Sequence, residues 1–237
     1  MRFTHPLRHG SFTRRVNRFL ASVRINGREE YAHVPNSGRL GELLTLGRPI
    51  RLRERSHQGR KTQYDLSLVH CEGHWVSIDA RLPGTLLVES LENGDFPELA
   101  GYSLLKREVT YRSSRIDLLL GKGNGRCLVE TKSVTLVNGG VARFPDAPTA
   151  RGARHVLDSA GAIGEGYEAW VVFVCQRQDA RLFSPNGPVD PHFLQALRTA
   201  YDRGLKVFAF NCRVTEEPMS LKDRIPVVLS HQEIPHL

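Results

Sequence analysis

Asp117, Glu130 and Lys132 are the residues of this chain whose types and spacing could do chemistry together. Two carboxylates and an ammonium, brought to one place, can hold a hard divalent cation such as Mg²⁺ or Mn²⁺ by its oxygen ligands. They can also set a positive charge beside an attacking water or a phosphate. On this reading Asp117 and Glu130 are metal ligands, helped by the Thr131 backbone carbonyl, and Lys132 orients or polarises the water that attacks a phosphodiester. The same trio also fits a structural ion pair at a hairpin end. The apolar runs beside it favour a site, because carboxylates at the ends of buried strands are costly unless something compensates them.

Local sequence must position these groups. Residues 114–120 (SRIDLLL) and 126–132 (RCLVETK) read as two strands joined by the tight turn GKGNG, hence a hairpin. Alternation puts Glu130 and Lys132 on one face and turns Thr131 into the core, and pairing through the turn carries Asp117 to the same edge. Upstream, Pro83-Gly84 opens a helix with the apolar face Leu86, Leu87, Val88 and Leu91, ending at Asn93-Gly94. A strand over 103–111 follows, and Glu108 within it could approach the site or pair with a neighbouring arginine. Downstream, Pro145 and Pro148 stiffen the approach to a helix running to about residue 163, which begins with Arg151, Arg154 and His155. Arginines at a helix N-terminus are misplaced for the dipole but suited to a bound phosphate. An ordinary surface helix competes with that reading. His155 reads as a surface histidine, and Asp146 as a helix cap or a member of the charged cluster. Strand, helix and strand over 169–176, 191–203 and 206–211 complete an α/β layer, with Gln176 and Arg177 expected at the same cleft.

The first third of the chain is different. Residues 1–82 carry 15 Lys+Arg against 7 Asp+Glu, and residues 83–237 carry 18 against 18, so the whole net charge of +8 lies before the boundary at 82/83. A concentrated basic unit favours a polyanion, nucleic acid above all, although it also serves solubility. Short β-rich runs at 18–26, 29–33, 49–54, 64–71 and 74–79, separated by turn residues, suit a small closed barrel of the oligonucleotide-binding type. Arg14, Arg15, Arg18, Arg39, Arg51, Arg53, Arg55, Arg60 and Lys61 supply phosphate-binding charge, with Arg51, Arg53 and Arg55 alternating along one strand. Phe12, Phe19, Tyr31 and Tyr64 are the aromatics available for stacking on bases, against a core role for each. The loop 35–39 (PNSGR) is a turn that could also grip a phosphate.

Other classes fall away. No apolar run reaches the ~20 residues of a membrane span, and the N-terminus lacks a signal-peptide core. Cys71, Cys127, Cys175 and Cys212 are isolated, which argues against a zinc site and for reduced thiols in the cytoplasm. There is no Gly-rich nucleotide loop, Ser-His-Asp constellation or HExxH.

Two resemblances add to this. The Asp117, Glu130-x-Lys132 spacing resembles the PD-(D/E)xK nuclease core, with Ile116 in place of its proline. The chain as a whole resembles the sugar fermentation stimulation protein A family through FTHPLRHG (3–10), RRVNRFL (14–20), HVPNSGRLG (33–41), RIDLLL (115–120), VETKSVTL (129–136), FPDAPTARGARH (144–155), FVCQR (173–177) and Asp190-Pro191. The resemblance implies an oligonucleotide-binding barrel over 1–82 followed by a nuclease-like α/β domain over 83–237, DNA binding, and a link to regulation of sugar-utilisation genes. In nuclease folds of this kind a glutamate from the first helix can join the metal, which makes Glu89 the candidate here. Fold does not decide function. A binding module without turnover and an RNA-processing nuclease remain the alternatives.

Overall fold

The structure, a computed structural model, describes residues 7–55 and 61–229. The expected turn at 56–59 and Arg60 lie outside them.

The barrel begins one strand earlier than the sequence suggests. β1 (Leu7–Asn17) is long and basic and buries only Phe12 fully, so it lacks the apolar alternation that marks a strand. Two register irregularities, between Phe12 and Arg14 and between Arg15 and Asn17, bend it around the barrel. β2 (Leu20–Ile25) and β3 (Arg28–His33) form a hairpin through Asn26-Gly27, both at positive φ, as a two-residue turn matched to strand twist requires. β4 (Pro49–Glu54), β5 (Tyr64–Cys71) and β6 (His74–Ser77) follow. The sheet order is β3-β2-β1-β4-β5-β6, and parallel pairing of Ala32 with Tyr64 and of His33 with Asp65 closes the first five strands into a barrel. Phe12, Val23, Ile50, Leu52, Leu66 and Val69 fill its interior. Each fully buried side chain of this size contributes roughly 1.5–3 kcal/mol.

α1 (Pro83–Asn93) ends at Gly94, whose left-handed backbone lets its N–H reach the Leu91 and Ser90 carbonyls. β7 (Ser103–Tyr111), β8 (Ser114–Lys122) and β9 (Gly125–Val134) form an antiparallel meander. Gly123 supplies the positive φ in the β8–β9 turn. The chain then runs through β10 (Val137–Asn138), β11 (Val141–Phe144), α2 (Ala150–Gly161), β12 (Glu168–Cys175), β13 (Leu182–Pro185), α3 (Pro191–Asp202), β14 (Lys206–Val214) and β15 (Met219–Arg224). The main sheet has the order β15-β14-β12-β9-β8-β7, with β9, β12 and β14 parallel, and β10, β11 and β13 form a small side sheet. Leu86, Leu87 and Val88 of α1 pack on one face with Val129 and Trp170. Val156 and Ala160 of α2 and Phe193 and Leu197 of α3 pack on the other with Val171 and Phe173. β9 is thus covered on both sides, which is why a carboxylate on it is buried.

Barrel and sheet are fastened by polar contacts. Ser77 and Gln176 exchange hydrogen bonds, with the Ser77 N–H donating to the Gln176 carbonyl at 3.0 Å and the Gln176 amide to the Ser77 carbonyl at 2.8 Å. Gln176 and Arg177 therefore sit in the contact between the two halves and not at the cleft expected from their place at a strand end. Arg51 of β4 holds Glu216 by two hydrogen bonds, at 2.8 and 2.6 Å, and lies over the Trp75 ring.

Candidate active site

β8 and β9 stop pairing after Leu118 and Val129, so the strands separate where Asp117 and Glu130 stand. In that gap the Thr131 N–H and hydroxyl both donate to Asp117 Oδ2, at 2.7 and 2.6 Å. Thr131 is half-buried and is spent on this carboxylate, where alternation alone had turned it into the core. Lys132 Nζ is 2.5 Å from Glu130 Oε1.

A fourth residue completes the group. His155 of α2 is buried, and its Nδ1 lies 2.7 Å from the same Glu130 Oε1. Arg151 Nε donates to His155 Nε2 at 3.2 Å, so Nε2 accepts and the proton on Nδ1 is directed at Glu130. The surface role expected of His155 is corrected: α2 packs on β9 and carries this side chain inside. Its i, i+4 spacing from Arg151 was a signal in the sequence, but only the packing shows that the pair faces Glu130.

Burial, and then the neighbouring Glu130 charge, hold the Asp117 carboxyl above the ordinary aspartate value, against the Thr131 hydrogen bonds and the Lys132 charge. For Glu130 burial works in the same upward direction, but the Lys132 charge and the hydrogen bonds from His155 and Lys132 outweigh it, and the net shift is downward. Glu130 Oε2 is buried without a hydrogen-bond partner. An orphaned carboxylate oxygen of that kind is costly, and a cation is the partner that suits it. Among the described residues no three His, Cys, Asp or Glu side chains converge as a metal cage, so a cation here would need backbone or solvent oxygens besides the two carboxylates.

These groups line a cavity of about 330 Å³ between barrel and sheet. Arg18 enters it from the barrel, Arg143 from β11 and Arg151 from α2, and Asp146 stands opposite the loop at 36–38. Asp146 is neither free nor the cap of α2: it accepts from the Leu40 N–H at 3.1 Å, and Thr149 caps the helix. Arg143 escaped the sequence reading because a lone arginine on a four-residue strand carries no periodic signal.

The remaining candidates divide sharply. Arg15 is a clamp, donating to the carbonyls of Arg18, Asn36, Gly38 and Arg39 and so shaping the loop 36–39. Within that loop the Gly38 N–H is taken by Asn36 Oδ1. Arg51 is bound to Glu216, Arg53 is buried and Arg55 pairs with Asp65, so the alternating arginines of β4 are held within the protein and do not form a phosphate-binding face. Arg14, Arg39 and Arg154 are exposed but do not line the cavity. Glu89 is half-buried on α1 and is not among the residues lining the cavity, and Glu108 on the edge strand β7 pairs with Arg115 of β8. Of the aromatics, Phe12 is core, Tyr64 is partly buried against the core, and Phe19 and Tyr31 are exposed.

The clamp gives a prediction. Arg15→Lys, which cannot reproduce a planar fork, is expected to cost about 1–3 kcal/mol in urea unfolding. The exposed Arg14→Lys should change stability by less than about 0.5 kcal/mol. Equal effects at the two positions would remove the clamp.

A closed five-strand barrel followed by a mixed sheet carrying Asp117 and Glu130-x-Lys132 defines a protein of oligonucleotide-binding barrel plus PD-(D/E)xK nuclease-like fold. Comparison with known proteins agrees. Residues 81–218 match the family described as "Sugar fermentation stimulation protein RE domain", and residues 13–78 match the "SfsA N-terminal OB domain". The chain is 41% identical over 225 residues to a sugar fermentation stimulation protein homolog of Caldanaerobacter subterraneus subsp. tengcongensis, covering 95% of this chain and 98% of the relative. It is 44% identical over 218 residues to that of Desulforamulus reducens, covering 92% and 91%. The structure of Pyrococcus furiosus SfsA in complex with Ca²⁺ superposes with a TM-score of 0.89 at 33% identity, covering 96% of this chain and 98% of that one. The chain belongs to the sugar fermentation stimulation protein family. Among the described residues no helix is long and apolar enough to cross a membrane.

Proposed function

We propose that this protein binds nucleic acid, DNA in the first place, and hydrolyses phosphodiester bonds with Mg²⁺ or Mn²⁺ at the cavity between its barrel (1–82) and its nuclease-like domain (83–237), in the cytoplasm. The observation that carries the reading is the meeting of Asp117, Glu130 and Lys132 in one cavity whose rim supplies Arg18, Arg143 and Arg151. The Ca²⁺ complex of the Pyrococcus furiosus relative supports a divalent cation.

Asp117 and Glu130 would hold the cation, Glu130 through its orphaned oxygen. The N–H and C=O of a strand residue point to the same side, so the Thr131 carbonyl, on the Asp117 side with its N–H, would supply a third oxygen. When bound, the metal supplies Lewis-acid polarisation of the phosphoryl oxygens and a lowered pKa for water. Lys132 orients the attacking water. His155 fixes the Glu130 carboxylate and the Lys132–Glu130 pair. The three arginines neutralise the phosphate and place it against the carboxylates. The exposed Arg14, Arg39 and Arg154 add charge that tracks the backbone, so affinity falls steeply with salt and depends little on sequence. Regulation of sugar-utilisation genes, suggested by the family name, would use the same grip.

A binding module without turnover is the second reading. Lys132 and His155 already satisfy Glu130 Oε1, and Thr131 satisfies Asp117 Oδ2, as in a structural network. Labelled single- and double-stranded DNA and RNA, incubated with Mg²⁺ or Mn²⁺, separate the two. Cleavage by wild type and its loss in both Asp117→Ala and Lys132→Ala is expected. Binding without cleavage under every condition would favour the second reading.

A further inference from the structure

Beside the catalytic cavity the barrel carries a second opening, of about 450 Å³, walled by Phe19, Leu20, Tyr31 and His33 and edged by Lys61. Phe19 and Tyr31 are each 48% exposed, although rings of this size contribute most when covered. The two openings adjoin. Arg18 lines the catalytic cavity, and its guanidinium lies 5.6 Å from the centre of the Phe19 ring. A strand whose phosphate is held by Arg18 would have a neighbouring base within reach of the Phe19 ring. Aromatic faces flanked by Arg18 and Lys61 match the two parts of a nucleotide, a planar base and an anionic backbone.

We propose that this groove stacks unpaired bases of the DNA strand whose phosphate enters the Asp117–Glu130 cavity, so that the substrate is single-stranded at the point of attack. The inference rests on the phosphodiester reading for the cavity but not on turnover. In a duplex both faces of a base are covered by its neighbours, and only an unpaired base can lie on Phe19 or Tyr31. Blunt duplex would then bind through its phosphates alone.

The test is fluorescence anisotropy in EDTA, with a labelled oligothymidine about a dozen nucleotides long and a blunt hairpin duplex of similar length. Phe19→Ala with Tyr31→Ala is expected to weaken oligothymidine binding at least about tenfold and duplex binding less than about twofold. Phe19→Trp should restore most of the loss when Tyr31 is kept. In wild type, 2-aminopurine placed in the strand should be quenched on binding, and the double variant should abolish the quenching. Equal losses on both probes, or no loss on oligothymidine, would overturn the proposal. So would a wild-type dimer that the double variant converts to monomer, since the groove would then be a self-interface. A wild type that never cleaves but keeps the contrast would refute hydrolysis and leave the groove standing.

Discussion

Asp117→Asn is expected to lose cleavage by at least about a thousandfold while making the metal-free protein more stable. The two effects share a cause. Asp117 is buried beside Glu130, and both facts raise its pKa, so the ionised carboxylate is a burden on the fold without a cation. Asparagine keeps an oxygen for the Thr131 N–H and hydroxyl and removes the charge. A gain of order 1 kcal/mol would raise the melting temperature by about 2–4 °C for a chain of this size. A carboxyl whose folded pKa is raised contributes stability below its unfolded value and loses it as pH rises through the folded one. The gain from Asp117→Asn should thus be absent in acid and grow as pH rises above the ordinary aspartate range. Melting curves with and without Ca²⁺ complete the test. Wild type should be stabilised by the cation and the variant should not. A variant that melts lower than wild type in EDTA, or that keeps the full cation shift, would make Asp117 a structural residue.

What could be read from the sequence follows the range of the interactions involved. The β8–β9 hairpin is local: a glycine turn between apolar runs sets its register, and that register is enough to bring Asp117 opposite the start of Glu130-x-Lys132. α1 was legible for the same reason, with a proline start, an apolar face and a glycine stop inside one short stretch. The basic barrel was legible as a composition but not in detail. β1 reads as a polar segment because its partners, β2 and β4, lend it burial that its own side chains do not announce.

Arginines were the least legible residues. Arg15, Arg51, Arg53 and Arg55 look like phosphate ligands by type, yet their partners lie as far away as Glu216, and Arg15 is taken up by carbonyls that no side-chain pattern encodes. Conversely Arg143 and His155 belong to the cavity through tertiary packing alone. Residue type indicated a polyanion partner, and position in space decides which arginines can meet it.

Arg177→Ala should have the largest effect on stability, at about 3–5 kcal/mol. The side chain is fully buried. Its Nε and Nη2 each reach Asp179 at 2.6 Å, and Nη1 donates to the Thr135 carbonyl at 3.1 Å. Alanine would leave the Asp179 carboxylate and that carbonyl without their donor and open a void next to the Gln176–Ser77 contact that joins the halves. The cost should also depend on pH. Burial raises the Asp179 pKa, but hydrogen bonding to Arg177 and its charge outweigh that and lower it. A carboxylate lowered in the folded state contributes stability above its unfolded value and loses it as pH falls through the folded one. Urea unfolding should therefore show the gap between wild type and Arg177→Ala at full size near neutrality and narrowing in acid. Arg177→Met with Asp179→Asn removes both charges and keeps volume, and should recover part of the loss. If the double variant is no better than Arg177→Ala, neither the void nor the unpaired Asp179 charge accounts for the loss, and the guanidinium's hydrogen bond to the Thr135 carbonyl carries it.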